Sequence, residues 1–340
     1  MNPIIAFIKL IRLPNLLIIV LTQYAIRYAI MYPMLTLSGF ELLMPDIDFF
    51  LLSLSTVMIA ASGYIINDYF DVKIDRVNRP DKIIIGKHIK RRVAMGAHTV
   101  INVVAIIIGA YVAYQVGNWK LIIIQIGSAG ALWYYSVSFK RQVLVGNVVV
   151  ALLAALVPFV AGFYELVLQH LLIEDTVNQI MFYLEPGTPY EEVMIAFEQI
   201  LANTMKWVLG FSFFAFMSTL VREIIKDIED YEGDKKYQAN TLPVAYGKRK
   251  AKIAAQFFML IMIGLIGYLQ YMQLKATDLT SFMYFLFTVQ VPLVFVIYQL
   301  YKAKEKKEFH QLSTYMKVIM LTGILYTALF YFTSTINVSS

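Results

Sequence analysis

The sequence contains no cysteine, few histidines and little charge. Without cysteine the chain has no disulfides, no thiolate metal ligands and no cysteine nucleophile. The four histidines do not show the spacing of metal ligands; they are His88, His98, His170 and His310. Charged residues make up only 15% of the chain, whereas a soluble domain carries about 25%. These shortages exclude thiol chemistry and argue against a soluble protein.

Apolar residues are correspondingly abundant and are grouped into long blocks. They form 59% of the sequence, and blocks such as 100–114 and 143–163 are long enough to cross a hydrocarbon core of about 30 Å. The pattern predicts an all-α polytopic membrane protein with a single transmembrane domain over residues 1–340. We expect nine transmembrane helices, at 13–33, 48–66, 93–115, 119–137, 144–166, 204–222, 252–272, 279–300 and 315–335.

The basic residues predict the orientation of these helices. All but four of the 29 lysines and arginines lie on the side that holds the N-terminus, in loops or at span ends. The positive-inside rule assigns that side to the cytoplasm and therefore places the C-terminus outside. We expect an integral protein of a prokaryotic plasma (inner) membrane, surrounded by membrane lipids. Because the net charge of +6 follows this topology, no nucleic-acid partner is expected.

Two features depart from this charge pattern. The segment 167–203 contains acidic residues but neither lysine nor arginine, and apolar residues recur at helical spacing between 193 and 201. It predicts an extracytoplasmic insertion with a short amphipathic helix that lies on the membrane or on the bundle. Arg27 lies within the first span, and we expect its guanidinium to extend to the outer interface.

A first acidic cluster follows the second predicted span. Asn67, Asp71 and Asp75 are four residues apart, so they share one face if the helix continues, and Asp68 lies beside them. Like charges stacked in this way repel one another unless a cation lies between them. Hard oxygen ligands without histidine or cysteine indicate Mg²⁺, which binds a few carboxylates together with substrate phosphates.

A second acidic cluster follows the sixth predicted span. Asp227, Asp230 and Asp234 are three and four residues apart, again on one helical face, and Glu223 precedes them by one turn. Both clusters lie at span ends on the same side of the membrane, which favours facing walls of one cavity. Several Mg²⁺ ions bridging a diphosphate would neutralise both the carboxylates and the leaving group.

Basic residues that could bind a diphosphate lie close to both clusters in the sequence. Arg79 follows the first cluster, and Lys140 and Arg141 lie between the fourth and fifth spans. Arg222 and Lys226 lead into the second cluster. Arginine suits bidentate phosphate contacts, and lysine provides a point charge. Any cytoplasmic loop is basic, so these residues alone do not identify a phosphate site.

Together these segments resemble the paired signatures of the UbiA superfamily of intramembrane prenyltransferases. The matching motifs are Asn67-Asp68-x-x-Asp71-x-x-x-Asp75, Asn78-Arg79-Pro80, Tyr135-Ser136 followed by Lys140-Arg141 and Asn147, and Asp227-x-x-Asp230-x-x-x-Asp234. The resemblance extends from about the first span to the last. It implies a helical bundle around a central cavity and a Mg²⁺-dependent prenyl transfer from a prenyl diphosphate.

The resemblance also implies roles for individual residues. The catalytic carboxylates would be Asp71, Asp75, Asp230 and Asp234. The metal-binding set would be Asn67, Asp71, Asp75, Asp230 and Asp234, with Asp68 and Asp227 either binding metal or supporting those that do. The substrate-binding set would be Asn67, Arg79, Tyr135, Lys140, Arg141 and Asn147, to which the charge beside the second cluster adds Arg222 and Lys226.

The sequence indicates the prenyl donor more clearly than the molecule that accepts the prenyl group. The segments 63–66, 78–82 and 222–230 look most like the digeranylgeranylglyceryl phosphate synthase branch, which implies a geranylgeranyl group and geranylgeranylglyceryl phosphate as acceptor. An aromatic quinone precursor is the alternative acceptor. Outside this class, the clusters are also compatible with a cation transporter, although transporter carboxylates usually lie near the bilayer midplane, or with solvated helix ends of a structural membrane protein. The sequence does not indicate an oligomeric state.

Overall fold

The computed structural model describes residues 2–339, with all side chains except those of Lys82 and residues 336–339, and the described chain contains helices but no β-strand. The first half comprises α1 (Pro3–Leu10), α2 (Leu13–Ala25), a π-helical segment (Ile26–Met31), α3 (Tyr32–Thr36), α4 (Asp46–Asn78), α5 (Arg91–Gln115), α6 (Ile122–Val137) and α7 (Val145–Leu171). Three 3₁₀ turns lie between these helices, at Pro80–Lys82, Trp119–Leu121 and Phe139–Arg141.

The second half begins with a short helix and the longest helix of the protein. It comprises α8 (Ile173–Met181), α9 (Tyr190–Glu229), α10 (Tyr231–Lys236), α11 (Leu242–Tyr246), α12 (Lys248–Lys275), α13 (Leu279–Phe285), a π-helical segment (Leu286–Gln290), α14 (Val291–Lys302) and α15 (Lys306–Ser339). Few of the helices begin with a side-chain cap. Asp278, for example, accepts a hydrogen bond from the Ser281 backbone N–H (3.0 Å) at the start of α13.

Eight helical segments of the described chain are long and apolar enough to cross a membrane. They correspond to eight of the nine predicted spans, with α2–α3 and α13–α14 each acting as one segment through their π-helical turns. The predicted span 119–137 is a 3₁₀ turn followed by α6, which has only 16 residues. The structure thus confirms an all-helical protein with membrane-spanning segments, and the count of nine stays a prediction.

The two helices that carry the acidic clusters occupy the middle of the bundle. α4 has 33 residues and packs against α5 and α6, and α9 has 40 residues and packs against α7, α12 and α15. On α9 one face is apolar and fully buried, as shown by Val221, Ile224 and Ile225. The remaining face is free to present polar side chains to the interior.

Both helices continue beyond the predicted spans, and the extra turns of α4 carry the first cluster. α9 carries Asp227 but ends at Glu229, so Asp230 caps it and Asp234 lies in α10. The second cluster is thus divided between two helices and does not share the single helical face that the sequence predicts.

The segment 167–203 differs from the short, separate amphipathic helix that the sequence predicts. It contains the end of α7, the nine-residue helix α8 and the first turns of α9, which run without interruption into the sixth predicted span. The apolar residues that recur at helical spacing in this segment pack against the core, where Phe197 and Leu201 are buried. Phe197 stacks on Phe40 with ring centroids 4.1 Å apart.

Arg27 is buried, and the prediction that its guanidinium reaches the outer interface is wrong. Its side chain is only 2% exposed and pairs with Glu165 (3.4 Å) and Asp46 (3.0 Å). It also donates to the Met44 carbonyl (2.6 Å). Glu165 accepts two further backbone N–H bonds from the segment before α4, so both buried charges are compensated. This ion pair fixes the chain between α3 and α4 to α7.

Candidate active site

One cavity of about 890 Å³ lies between the two halves of the bundle. Residues of α2, α4, α6, α7, α9 and α15 line it. One end is polar and contains both acidic clusters, and the other end is apolar, with Ile59, Leu132, Leu153, Phe211 and Ile324 on its wall. A cavity of this kind can hold a molecule with a charged head and a hydrocarbon tail.

The first cluster lies on the last turns of α4 and is bound to cations from two other segments. Asn67, Asp68, Asp71 and Asp75 all line the cavity. Lys140, on the 3₁₀ turn after α6, donates to Asp71 Oδ1 (2.5 Å) and to Asn67 Oδ1 (3.3 Å). The predicted phosphate-binding lysine thus contacts two predicted metal ligands directly.

The second cluster lies across the cavity, at the end of α9 and in α10. Its members Asp227, Asp230 and Asp234 also line the cavity. Arg79 donates to Asp230 Oδ2 (2.7 Å) across the gap between the two clusters. Asn147 is buried and donates to Asp227 Oδ2 (2.8 Å), so its contact is with a carboxylate.

A close backbone contact joins the helix ends that carry the clusters. Asn78 is the last residue of α4, and its Oδ1 accepts a hydrogen bond from the Gly233 N–H (3.1 Å) in α10. The approach requires glycine, because a Cβ at position 233 would lie 2.3 Å from Asn78 Oδ1. One hydrogen bond, from the Gly233 backbone to the Asn78 side chain, therefore joins the two helix ends that carry the acidic clusters.

The electrostatics of the polar end favour a bound cation. Burial, and then the neighbouring Asp230 carboxylate, raise the pKa of Asp234 to about 7. Burial also raises the pKa of Asp230, although the Arg79 guanidinium opposes this shift. For Arg79 burial acts to lower the pKa, but Asp230 and Glu229 outweigh it, so the pKa is raised. The raised pKa values mean that the ionised forms of Asp230 and Asp234 are destabilised by their surroundings. A bound cation would stabilise these ionised forms.

The donor atoms present fit Mg²⁺. All are carboxylate or amide oxygens, the ligands that hard cations prefer. Asp230 Oδ1 is buried and lacks a hydrogen-bond partner among the described residues. Within residues 2–339 no three acidic or histidine side chains are close enough to enclose a metal by themselves. The arrangement thus suits ions that bridge two walls through a bound diphosphate, as opposed to a metal cage built of protein alone.

The remaining predicted residues take several positions around the cavity. Tyr135, Arg141, Arg222 and Lys226 line it. Arg222 and Lys226 share one carboxylate, since Glu223 accepts from Arg222 Nη1 (2.5 Å) and from Lys226 Nζ (3.1 Å). Of all the predicted site residues, only Asn147 does not line the cavity. It donates a hydrogen bond to Asp227, which does.

The cavity residues missing from the sequence-based prediction include the basic residues Arg12 and Lys317. Arg12 donates to Asp68 Oδ1 (2.7 Å) from the turn between α1 and α2, where it has a left-handed backbone with φ 54°. Lys317 lines the cavity from α15. The sequence contained a signal for the second, because His310, Ser313, Thr314 and Lys317 recur at helical spacing. No local pattern indicated that Arg12 turns toward α4.

Comparison with known proteins agrees with the geometry. A sequence model of the UbiA prenyltransferase family matches residues 29–321. The digeranylgeranylglyceryl phosphate synthase of Methanosphaera stadtmanae is 34% identical over 209 residues, which are 62% of this chain and 61% of that protein. The enzyme of the same name from Methanothermobacter thermautotrophicus is 32% identical over 216 residues, 63% of this chain and 62% of that protein. The chain thus spans about three fifths of the length of these relatives.

Solved structures share the fold over nearly the whole chain. A structure from work on digeranylgeranylglyceryl phosphate synthase in membranes aligns with a TM-score of 0.56 at 21% identity, covering 97% of this chain and 99% of that chain. A UbiA homolog from Archaeoglobus fulgidus bound to DMAPP and Mg²⁺ aligns with a TM-score of 0.53 at 16% identity, covering 95% and 99%. The fold is shared, and the family match extends over most of the sequence. This chain belongs to the UbiA prenyltransferase family.

Proposed function

We propose that this protein is a membrane prenyltransferase that transfers a geranylgeranyl group from its diphosphate to geranylgeranylglyceryl phosphate, with Mg²⁺ as cofactor. The observation that carries the proposal is the pair of carboxylate clusters on opposite walls of one cavity, each in direct contact with a basic side chain. The relatives named digeranylgeranylglyceryl phosphate synthase support the acceptor. The fold shared with a homolog bound to DMAPP and Mg²⁺ supports the donor and the metal.

The polar end of the cavity binds and orients the diphosphate in this proposal. Asn67, Asp68, Asp71 and Asp75 on one wall, and Asp227, Asp230 and Asp234 on the other, hold Mg²⁺, which when bound neutralises the diphosphate and stabilises it as a leaving group. Lys140, Arg79 and Arg141 contact the diphosphate oxygens from the gap between the walls. Lys140 and Arg79 now contact carboxylates, and contact with phosphate oxygens would free those carboxylates to hold the metal.

The apolar end holds the prenyl chain and excludes water from the reacting carbon. Departure of the diphosphate leaves positive charge on the allylic carbon, which water would capture. Phe211 and Phe214 line this part of the cavity and offer aromatic faces to the cation, and Tyr135 lies nearer the acidic clusters. An acceptor hydroxyl placed next to this carbon forms the new C–O bond as its O–H bond breaks, and the proton passes to the released diphosphate or to a neighbouring carboxylate.

The membrane orientation is part of the same proposal. The N-terminus and the acidic ends of α4 and α9 face the cytoplasm, α6 crosses as the ninth span, and the substrates reach the cavity from the cytoplasmic leaflet of a plasma membrane. The basic loops on that side support this orientation through the positive-inside rule.

The direct test is an assay of purified protein with radiolabelled geranylgeranyl diphosphate. One reaction offers geranylgeranylglyceryl phosphate, a second offers an aromatic hydroxy acid, and each is run with and without Mg²⁺. Mg²⁺-dependent transfer to the glycerol phosphate supports the proposal. Transfer only to the aromatic acid overturns the acceptor, and no transfer to either acceptor overturns the proposal as stated.

A further inference from the structure

A polar stripe on α15 faces the cavity, although this helix crosses the apolar bundle. His310, Ser313, Thr314 and Lys317 all line the cavity, and their spacing of three, four and seven residues puts them on one helical face. Ser313 is buried, at 5% exposure. Residues with hydroxyl and ammonium groups thus follow one another from the mouth of the cavity inward.

The contacts between α15 and α9 place Lys317 well inside the mouth. His310 Nδ1 lies 3.0 Å from Glu229 Oε1, next to the second acidic cluster. Seven residues further along α15, about 10 Å at the usual helical rise, lies Lys317. The charged groups that act on Lys317 are Arg222, Lys226, Arg12 and Glu223, so it faces the part of α9 that precedes Asp227.

This inner part of the cavity holds more positive than negative charge. Arg222 and Lys226 both bind Glu223, and Lys317 forms no ion pair within the described residues. Arg12 is paired with Asp68. The other three cations therefore face the one carboxylate of Glu223. The Nε of Arg222 is also buried and lacks an acceptor among the described residues. Excess positive charge within a membrane protein is costly unless it meets an anion, which indicates an anionic ligand at this position.

The diphosphate site already has its own cations. Lys140 and Arg79 contact the acidic clusters at the mouth, whereas Arg222, Lys226 and Lys317 lie inward of them. Lys317 lines the cavity and its side chain is exposed, so an anion that enters the cavity can reach its ammonium group. The unmatched cations therefore fit an anion carried by a second, lipid-like substrate.

We propose that Lys317, Arg222 and Lys226, with the hydroxyls of Ser313 and Thr314, bind the phosphate monoester of the acceptor lipid. This inference rests on the proposed function and adds a second phosphate site to it. Three cations can make charge-assisted hydrogen bonds to a dianionic phosphate, and the hydroxyls complete its coordination. A phosphate held here keeps the glycerol hydroxyl between the inner cations and the diphosphate, beside the allylic carbon.

The test compares Lys317→Gln with the wild type in steady-state kinetics on both substrates. We expect the KM for geranylgeranylglyceryl phosphate to rise at least about 10-fold and the KM for geranylgeranyl diphosphate to change less than about 2-fold. Lys317→Arg, which keeps the charge, restores the acceptor KM to within about 3-fold of the wild type. Lys307→Gln removes an exposed lysine of the same helix that does not line the cavity, and it leaves both constants unchanged.

A binding measurement separates this inference from the proposed function. Radiolabelled geranylgeranylglyceryl phosphate is titrated onto purified protein without donor, alongside the phosphate-free geranylgeranylglycerol. Binding that requires the phosphate and is weakened at least about 10-fold by Lys317→Gln supports the site even if no transfer is observed. An unchanged acceptor KM in Lys317→Gln overturns the inference while transfer itself continues. An equal rise in both KM values also overturns it, because the residue then serves the diphosphate.

Discussion

Lys140 is the residue whose contacts connect the protein most directly to phosphate chemistry. Its side chain is only 9% exposed and bridges Asn67 and Asp71. Replacing it by methionine keeps much of its volume but removes the only cation that contacts Asp71 within the described chain. We expect kcat/KM for geranylgeranyl diphosphate to fall about 100-fold or more in Lys140→Met, the usual cost of one electrostatic contact to a developing charge.

The matched control for this variant is Lys73→Met, an exposed lysine of the same acidic segment that does not line the cavity. This variant tests whether the loss of any positive charge near the mouth of the cavity lowers the transfer rate, or only the loss of Lys140. Transfer by Lys73→Met should stay within about 2-fold of the wild type. If Lys140→Met kept a third or more of the wild-type kcat/KM, the assignment of Lys140 to the diphosphate would be wrong.

Asn147 acts through Asp227. Its amide donates to Asp227 Oδ2 from a buried position on α7 and thereby orients the carboxylate toward the cavity. Partners of this kind typically contribute 10–100-fold to metal affinity. In Asn147→Ala we expect the Mg²⁺ concentration for half-maximal transfer to rise about 10-fold, with a rate at saturating Mg²⁺ within about 3-fold of the wild type. A lower rate that Mg²⁺ does not restore would instead assign Asn147 to the substrate.

At the scale of elements, the relation between α4 and α10 decides whether the two clusters cooperate. Alanine at position 233 would place its Cβ 2.3 Å from Asn78 Oδ1, and Asn78 is itself buried, so either this side chain must give up its hydrogen bond or the helix ends must move apart. We expect Gly233→Ala to lower the free energy of unfolding by about 1–3 kcal/mol and to lower transfer more than ten-fold. Thermal unfolding in detergent and the transfer assay measure the two effects.

Gly96→Ala is the control, because a Cβ there meets no atom within 4 Å and the residue lies within α5. This variant should be neutral or slightly more stable, since alanine is the better helix former. Equal behaviour of the two variants would contradict the idea that the Asn78–Gly233 contact sets the distance between the clusters.

The elements also show what the sequence could and could not predict. The spacing of Asn67, Asp71 and Asp75 predicted a helical face correctly, because α4 continues unbroken to Asn78. The uninterrupted helix from 190 into the sixth span was missed, since the polar residues near its start resemble a loop although Phe197 and Leu201 are buried. Contacts between distant segments, such as the ion pair of Arg27 with Glu165, cannot be predicted from the local spacing of residue types.

For the whole molecule, the absence of native cysteine allows a clean test of orientation. Lys87 and Glu185 are exposed on loops predicted to lie on opposite sides of the membrane. With a membrane-impermeant maleimide added to intact cells, Glu185→Cys should be labelled and Lys87→Cys should be labelled only after permeabilisation. The wild type, which has no thiol, is the control. The reverse pattern would contradict the cytoplasmic active site.

In the proposed function, both acidic walls bind one Mg²⁺–diphosphate unit. The most direct measurement is equilibrium binding of geranylgeranyl diphosphate to the purified protein as Mg²⁺ is titrated, in the wild type and in Asp71→Asn and Asp230→Asn. Mg²⁺-dependent binding that either substitution weakens at least about 10-fold is the predicted result. Binding that is independent of Mg²⁺, or that needs only one of the two walls, would show that the two clusters do not share a Mg²⁺–diphosphate unit.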